Sequence, residues 1–320
     1  MQDIMGLVED ILAGSERSAA KLITRVENGD LEAYGALSLL FPHTGKAHIV
    51  GVTGPAGAGK STLVGHLAVS FAERGKKVGV IATDPTSIDG KGAFLGDRVR
   101  MKGAEKRNIF IRSMAHRTYP GGTAKAAAAA AYIMEALGKD CIIIESIGAG
   151  QSEKDLFFLC DTVITLFTPD YGDEIQLLKA GLIEIGDVIV VNKSDKPGAD
   201  DAVRDISVIS ALKAGSNGWN VPILLTRADR GEGVDGLVRT IEEHWQSLSK
   251  KEKRSTRKKL QTEAFLMALL KEEAWKVISA RLVESPIFKK ALRDIRSGKT
   301  DPYSAVERLL TEMEEQWTLR

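Results

Sequence analysis

A glycine-rich segment from Gly54 to Thr62, GPAGAGKST, combines residue types that suit the binding of phosphate groups. Glycines allow backbone N–H groups to wrap phosphate oxygens, and a helix that begins here adds partial positive charge. Lys60 is expected to reach the β- and γ-phosphates of a nucleotide, and Ser61 to bind Mg²⁺. The predicted phosphate loop consists of Gly54, Pro55, Ala56, Gly57, Ala58, Gly59, Lys60, Ser61 and Thr62.

A second segment, Asn192-Lys-Ser-Asp195, predicts which base the nucleotide carries. An ionised carboxylate only accepts hydrogen bonds, and guanine presents two adjacent donors that Asp195 can accept together. Adenine presents an acceptor at the matching ring position, so the same carboxylate disfavours it. The stem of Lys193 can cover the face of the base. Arg227 and Ala228, which follow the next predicted strand, are expected to bring loop backbone to the guanine oxygen.

Three acidic residues are candidates for holding the metal ion, directly or through water. Asp84 and Glu145 each end a predicted strand, and Asp97 lies in the segment FLGDRVRM. Carboxylates at the carboxyl ends of parallel strands lie near a phosphate loop, and oxygen ligands suit Mg²⁺. Gly148 can offer its N–H to the γ-phosphate, a contact that exists only with a triphosphate. The predicted catalytic residues are Lys60, Asp84, Asp97, Glu145 and Gly148, and the predicted metal ligands are Ser61, Asp84, Asp97 and Glu145.

The elements that must position these residues are indicated by short apolar runs rich in valine and isoleucine. Each run is apolar throughout, which is typical of strands buried on both faces of a parallel sheet, and helical stretches separate them. An α/β fold with a mostly parallel sheet is therefore predicted. The predicted strands are 47–53, 78–83, 108–112, 141–144, 162–168, 187–191 and 221–225. The predicted helices lie near 60–74, 122–137, 174–184, 199–214 and 234–249.

Two helical segments flank this pattern, which predicts three parts: 1–45, 46–249 and 250–320. In the first part apolar residues recur at helical spacing, and Asp30 is a candidate cap for a second helix. The third part opens on a basic stretch at 250–259 and continues with helical apolar stripes. The stripes exceed what a short arm can bury on itself, so a homodimer interface is the hypothesis and packing on the main domain is the alternative.

Composition excludes several other classes of protein. The 320 residues carry 44 basic and 43 acidic side chains, a balance that argues against a globally basic nucleic-acid-binding protein. Two cysteines, Cys141 and Cys160, are too few for a disulfide framework. The first 14 residues lack the basic start of a secretory signal, and no apolar run approaches the length of a membrane helix. The sequence thus predicts a cytoplasmic protein without a nucleic-acid or membrane partner.

Five segments occur together in an order that resembles one family. They are GVTGPAGAGKSTL, ATDPTSIDGKGAFLGDRVRM, ESIGAGQSE, TPDYGDEIQLLKAGLIEIGDVIVVNKSD and RGEGVDGL. The chain resembles the MeaB/ArgK-type GTPases, the G-protein chaperones of adenosylcobalamin-dependent methylmalonyl-CoA mutase. The resemblance implies a P-loop G domain of the SIMIBI class with N-terminal helices and a C-terminal helical dimerisation arm.

The resemblance also implies an activity and partners. It implies Mg²⁺-dependent hydrolysis of GTP to GDP and phosphate, which gates adenosylcobalamin loading and protects methylmalonyl-CoA mutase or a related acyl-CoA mutase. No cobalamin is expected on this chain itself, and an adenosyltransferase is a second candidate partner.

By position, Asp84, Asp97 and Glu145 match acids that the family uses for Mg²⁺ binding and hydrolysis. Residues 148–156 resemble its second switch, and residues 168–180 resemble an additional switch that communicates with the mutase. ESIGAG replaces the more usual ETVGVG, and TPDYGDEIQ replaces forms nearer PGAGDELQ. The second departure falls in the communicating loop, so it bears on which mutase is the partner.

Three other functions compete with this interpretation. A P-loop small-molecule kinase or transport-linked ATPase would need an acceptor pocket with a general base, and the sequence contains no obvious constellation of that kind. A nickel-insertion GTPase should carry cysteine and histidine ligands near its switches, and this sequence does not. A nucleotide-binding interaction module would bind GTP without turning it over.

Overall fold

The computed structural model describes residues 2–84, 109–115, 122–146, 158–169, 182–211, 219–248 and 251–318. Three helices come first, followed by alternating strands and helices and then by a helical C-terminal part. The strands are β1 (His48–Thr53), β2 (Val78–Asp84), β3 (Phe110–Ala115), β4 (Cys141–Glu145), β5 (Thr162–Phe167), β6 (Val188–Asn192) and β7 (Ile223–Thr226). The first helices are α1 (Gln2–Leu12), α2 (Glu16–Glu27) and α3 (Leu31–Leu40), followed by a 3₁₀ turn at Phe41–His43. The later helices are α4 (Lys60–Glu73), α5 (Gly122–Ala136), α6 (Leu182–Ile185), α7 (Ala199–Ala211), α8 (Val234–Leu248), α9 (Lys251–Glu284), α10 (Pro286–Arg296) and α11 (Pro302–Thr318).

The seven strands form one parallel sheet in the order β3-β2-β4-β1-β5-β6-β7. All seven predicted strands are present, and the predicted α/β class is confirmed. The third strand begins at Phe110, two residues later than predicted. Of the helix predicted at 174–184, only its end coincides with α6, and 174–181 lies outside the described residues. Because all strands run the same way, their carboxyl ends meet at one edge of the sheet.

Helices cover both faces of the sheet. Along β4, Ile143 packs on the same side as α4 and α8, whereas Ile142 and Ile144 pack on the side of α5 and the three N-terminal helices. The alternation follows from the two-residue period of a strand, and burial on both sides explains the uninterrupted apolar runs.

The N-terminal helices share a hydrophobic core with α5. The six alanines from Ala126 to Ala131 are all buried, and their small side chains let α2 approach α5 closely. Asp30 caps α3 as predicted, accepting from the backbone N–H groups of Glu32 and Ala33. The segment 1–45 is therefore continuous in packing with the sheet that follows it, and the predicted boundaries at 45 and 249 stay predictions.

The chain divides into two compact units, Met1–Phe265 and Leu266–Arg320. In the second unit Asp301 caps α11 by accepting from the backbone N–H groups of Tyr303 and Ser304. The apolar stripe predicted in this part is exposed: the exposed fractions are 61% for Leu266, 58% for Leu270 and 50% for Val277. Across the described residues, no helix is both long and apolar enough to cross a membrane.

A buried polar network lies at the amino-terminal edge of the sheet. Arg257 of α9 donates to both carboxylate oxygens of Asp187, at 2.8 and 2.7 Å. His244 of α8 lies 3.5 Å from the same carboxylate, and its Nδ1 is 2.8 Å from Thr162 Oγ1. That hydroxyl also lies 2.8 Å from Nε2 of His48 in β1. The network thus connects the start of α9 to the sheet.

Burial lowers the pKa of His244 from its ordinary value of 6.5 to about 4. Desolvation is the largest cause; Arg257 lowers it further, while Asp187 opposes the shift. The unfolded chain therefore binds a proton at this position as the pH falls below 6.5, whereas the folded chain does so only near pH 4. Through His244, acidification within this window lowers the free energy of unfolding.

We predict that His244 alone lowers the free energy of unfolding by about 2 kcal/mol when the pH falls from 7 to 5. His244→Asn keeps a polar group near the position of Nδ1 but does not titrate, so this variant should lose correspondingly less stability on acidification. Urea unfolding at both pH values measures the difference. His43→Asn, at an exposed histidine, is the control and should behave as the wild type does. If His244→Asn and the wild type lose equal stability on acidification, the lowered pKa of His244 is not the cause.

Candidate functional site

The glycine-rich segment connects β1 to α4, as the sequence predicts for a phosphate loop. Gly54 and Gly59 have φ angles of +148° and +95°, which side-chain-bearing residues rarely adopt. A Cβ at Gly54 would lie 2.4 Å from the carbonyl oxygen of Leu166, and one at Gly59 would lie 2.4 Å from Nδ2 of Asn192. Close approach as well as backbone conformation therefore requires glycine at both positions.

Lys60 begins α4 and is largely buried. Its ammonium donates to the carbonyl oxygens of Gly54, at 2.9 Å, and Pro55, at 3.0 Å. The positive charge thus lies inside the loop that is predicted to surround phosphate groups, at the amino end of a 14-residue helix. Both features favour an anion at this position.

Ser61 and Glu145 meet across the gap between α4 and β4. The Ser61 hydroxyl donates to Oε1 of the buried Glu145 at 2.6 Å. A hydroxyl and a carboxylate are both oxygen donors of the kind that Mg²⁺ prefers, and Mg²⁺ sites beside phosphates use few protein ligands. The residues present therefore fit a magnesium ion held between the loop and β4.

The other predicted metal and catalytic residues are only partly within the described structure. Asp84 is the last residue of β2, whose neighbour in the sheet is β4, with Ala82 paired to Glu145. Its backbone therefore lies at the same edge of the sheet as Glu145. Asp97 and Gly148 lie outside the described residues, as do 148–156 and most of 168–180.

Asn192, at the end of β6, connects the phosphate loop to the segment after β7. Its Nδ2 donates to the carbonyl oxygen of Ala58 at 2.8 Å. Its Oδ1 accepts from the backbone N–H of Ala228 at 3.0 Å and from the Thr226 hydroxyl at 3.1 Å. Because the side chain is buried and these partners satisfy it, a single amide fixes the relative positions of three segments.

The turn after Asn192 is attached to the same two neighbours. Lys193 has a φ of +58°, and its ammonium donates to the carbonyl oxygen of Gly57 at 2.9 Å. The N–H of Ser194 donates to the carbonyl oxygen of Thr226 at 3.1 Å. Asp195 therefore projects from an anchored turn, and its side chain is 44% exposed. An accessible carboxylate in a fixed position can select a ligand that carries two adjacent donors.

The Arg227–Ala228 backbone takes part in the structure of its own loop. Arg227 donates to the carbonyl oxygen of Glu232 at 3.0 Å, and Ala228 donates to Asn192. The predicted contact of this backbone with a guanine oxygen stays a prediction.

Sequence reasoning missed two hydroxyl contacts at the same edge of the sheet. The Thr226 hydroxyl is one of the partners of Asn192. Ser146, directly after Glu145, donates its hydroxyl to Thr53 Oγ1 at 2.8 Å and its N–H to the carbonyl oxygen of Val52 at 2.9 Å. Both residues carry a hydroxyl, lie at the carboxyl end of a strand and adjoin a predicted site residue, and this pattern could have identified them from the sequence. These contacts join the ends of β1 and β4.

The parallel sheet, the glycine loop on α4 and the anchored Asn-Lys-Ser-Asp turn define a P-loop nucleotide-binding protein of the SIMIBI class. The family model described as methylmalonyl-CoA mutase-associated GTPase MeaB matches residues 19–282. The chain belongs to this family, as the resemblance of its sequence segments predicts.

Individual relatives cover almost the whole chain. A Pyrococcus horikoshii protein named as a GTPase is 40% identical over 314 residues, which are 97% of this chain and 98% of that protein. The mitochondrial methylmalonic aciduria type A homolog of Caenorhabditis elegans is 29% identical over 335 residues, covering 96% of this chain and 82% of that protein. A crystal structure of a LAO/AO transport system kinase covers 97% of both chains with a TM-score of 0.72 and 23% identity. That structural similarity confirms the predicted fold class.

Proposed function

We propose that this protein binds GTP and GDP at the described edge of the sheet and hydrolyses GTP. The observation that carries the proposal is the Asn192 side chain, which holds the phosphate loop and the turn bearing Asp195 in one arrangement. A site that binds phosphate alone would not need that connection. Membership in a GTPase family supports the same activity.

The chain's own residues would divide the work as follows. Backbone N–H groups of the loop and the Lys60 ammonium would hold the phosphates, and Ser61 and Glu145 would hold Mg²⁺, with Asp84 and Asp97 as further ligands. When bound, Mg²⁺ would neutralise charge on the phosphate oxygens. Gly148 would add an N–H to the γ-phosphate. Glu145 already accepts from Ser61 at 2.6 Å, which supports this pairing.

Asp195→Asn should change the preferred base from guanine to xanthine. Xanthine replaces the exocyclic amine of guanine with an oxygen, and asparagine can donate to that oxygen where aspartate can only accept. The dissociation constants of GDP and XDP, measured by titration calorimetry, test this expectation. Asp200→Asn, an exposed position in α7, is the control and should keep the wild-type preference. Retention of the full guanine preference by Asp195→Asn would refute base recognition by this carboxylate.

The proposed role of GTP hydrolysis is to gate adenosylcobalamin loading into methylmalonyl-CoA mutase or a related acyl-CoA mutase, and to protect that mutase. Support comes from the family description, which is mutase-associated, and from a relative named for methylmalonic aciduria. An adenosyltransferase would be a further partner. In this role nucleotide state and partner affinity must be coupled, and that coupling is reciprocal for binding.

A cobalamin-dependent acyl-CoA mutase should therefore accelerate GTP hydrolysis by this protein. The phosphate loop supplies binding, a lysine and a metal, but related NTPases often need an ordered switch to complete catalysis. A partner that binds the ordered state raises its population. Phosphate release is measured with increasing mutase, and mutase affinity is measured with GDP and with a non-hydrolysable GTP analogue. If GTP turnover does not change with added mutase, and mutase affinity is equal with GDP and with the GTP analogue, the chaperone proposal is wrong. The proposal of nucleotide binding would be unaffected.

The C-terminal helices are proposed to form a homodimer. Leu266, Leu270 and Val277 form an exposed apolar stripe on α9, and exposed stripes of this kind favour association. The full chain should therefore be a dimer in sedimentation velocity, and Leu270→Glu combined with Val277→Glu should yield monomers that still bind GDP. Lys271→Glu, on the same helix, is the matched control and should stay dimeric. If the wild type is a monomer, or if the double variant is still a dimer, this stripe is not a dimer interface.

A further inference from the structure

The side chain of Arg227 lies between two carboxylates at the site that the proposed function assigns to the base. Its Nε is 3.2 Å from Oδ1 of Asp229 and 3.7 Å from Oδ1 of Asp195. The Arg227 side chain is 22% exposed and that of Asp195 is 44% exposed. The guanidinium therefore faces the one carboxylate in the turn that is proposed to read guanine.

The backbone of Arg227 is fixed by its own loop. Its N–H donates to the carbonyl oxygen of Glu232, and the N–H of Glu232 donates back to Arg227 at 3.2 Å. The N–H of Arg230 also donates to Arg227, at 3.1 Å. Gly233 has a φ of +81°, and a Cβ there would lie 2.4 Å from the carbonyl oxygen of Leu225. The loop from 227 to 233 thus holds the arginine against the strand that it follows.

The geometry leaves the Asp195 carboxylate available to a ligand. A separation of 3.7 Å is longer than a hydrogen bond, so Arg227 acts on Asp195 through charge. A carboxylate has about four lone-pair sites, and the two donors of guanine would use two of them. An exposed aspartate that is free to rotate would lose that freedom on binding the base. A nearby cation that already restricts the carboxylate reduces this cost.

We propose that Arg227 is a positioning residue that fixes the Asp195 carboxylate for guanine recognition. Arg227 would act through the aspartate and would not itself select the base. The inference rests on the proposed function, because it requires Asp195 to bind the base. It concerns the side chain of Arg227, in addition to the backbone contact predicted for this position.

The experiment compares the affinities of GDP and IDP for Arg227→Met in the full-length protein. Inosine lacks the exocyclic amine. The dissociation constant of IDP divided by that of GDP therefore reports the second hydrogen bond to Asp195. Methionine keeps much of the side-chain length and removes the charge. The ratio should fall about two- to fivefold, the range expected for an exposed charge pair. Arg230→Met, in the same loop, is the control and should keep the wild-type ratio.

A second measurement separates positioning from a general structural role. When Arg227→Met is combined with Asp195→Asn, the affinity for XDP should equal that of Asp195→Asn alone, because the neutral amide no longer responds to the charge. The wild-type ratio of the IDP to the GDP dissociation constant should also decline with added salt, which screens charges, while that of Arg227→Met should not.

The outcomes distinguish the two hypotheses. If Arg227→Met weakens GDP and IDP equally, or lowers XDP affinity in the Asp195→Asn background, Arg227 is structural and the inference is wrong. An unchanged ratio in Arg227→Met, with wild-type preference for GDP over IDP and ADP, also overturns it. A wild-type protein without guanine preference would instead refute the proposed function.

Discussion

The buried amide of Asn192 is the interaction on which the geometry of the proposed nucleotide site depends. It joins Ala58 in the phosphate loop, 134 positions away along the chain, to Ala228 after β7, which is 36 positions away. A buried polar group left without its partner costs about 1–3 kcal/mol, so each of these bonds is expensive to break. Gly59 has no side chain because the amide occupies the space where a Cβ would be. One side chain therefore constrains a glycine, a turn and a loop together.

The parallel sheet explains why such distant segments can meet. The order β4-β1-β5-β6-β7 places the ends of β1, β4, β6 and β7 along one edge, where the phosphate loop, Glu145 and Asn192 lie. The opposite edge carries Asp187, which binds Arg257 at the start of α9. Asp187 immediately precedes β6, and Asn192 is the last of its five residues. A single buried strand thus connects the proposed nucleotide site at one edge to the anchored start of α9 at the other.

The strands and the phosphate loop could be predicted from sequence because their signals are local. Seven apolar runs correspond to seven strands, and a glycine pattern before a helix identifies the loop. The order of the strands carries no local signal, so neither the Asn192 contacts nor the pairing of Arg227 with Asp195 could be predicted. The same holds for the buried His48–Thr162–His244 contacts, since isolated polar residues at strand and helix ends follow no period. Polar contacts between residues that are distant in the sequence could therefore be identified only from the folded structure.

Packing also changes how the flanking segments are understood. Composition separates 1–45 from the sheet-forming region, but Leu22 and Ile23 of α2 are fully buried in one core with the alanines of α5. At the other end, Arg257 and Gln261 of α9 lie within the first unit, where Gln261 donates to the carbonyl oxygen of Cys160 at 2.7 Å. The basic stretch at 250–259 therefore includes a partly buried ion pair between Arg257 and Asp187. Because a bidentate arginine–carboxylate pair restricts orientation as well as distance, it fixes the first turns of α9 within the first compact unit.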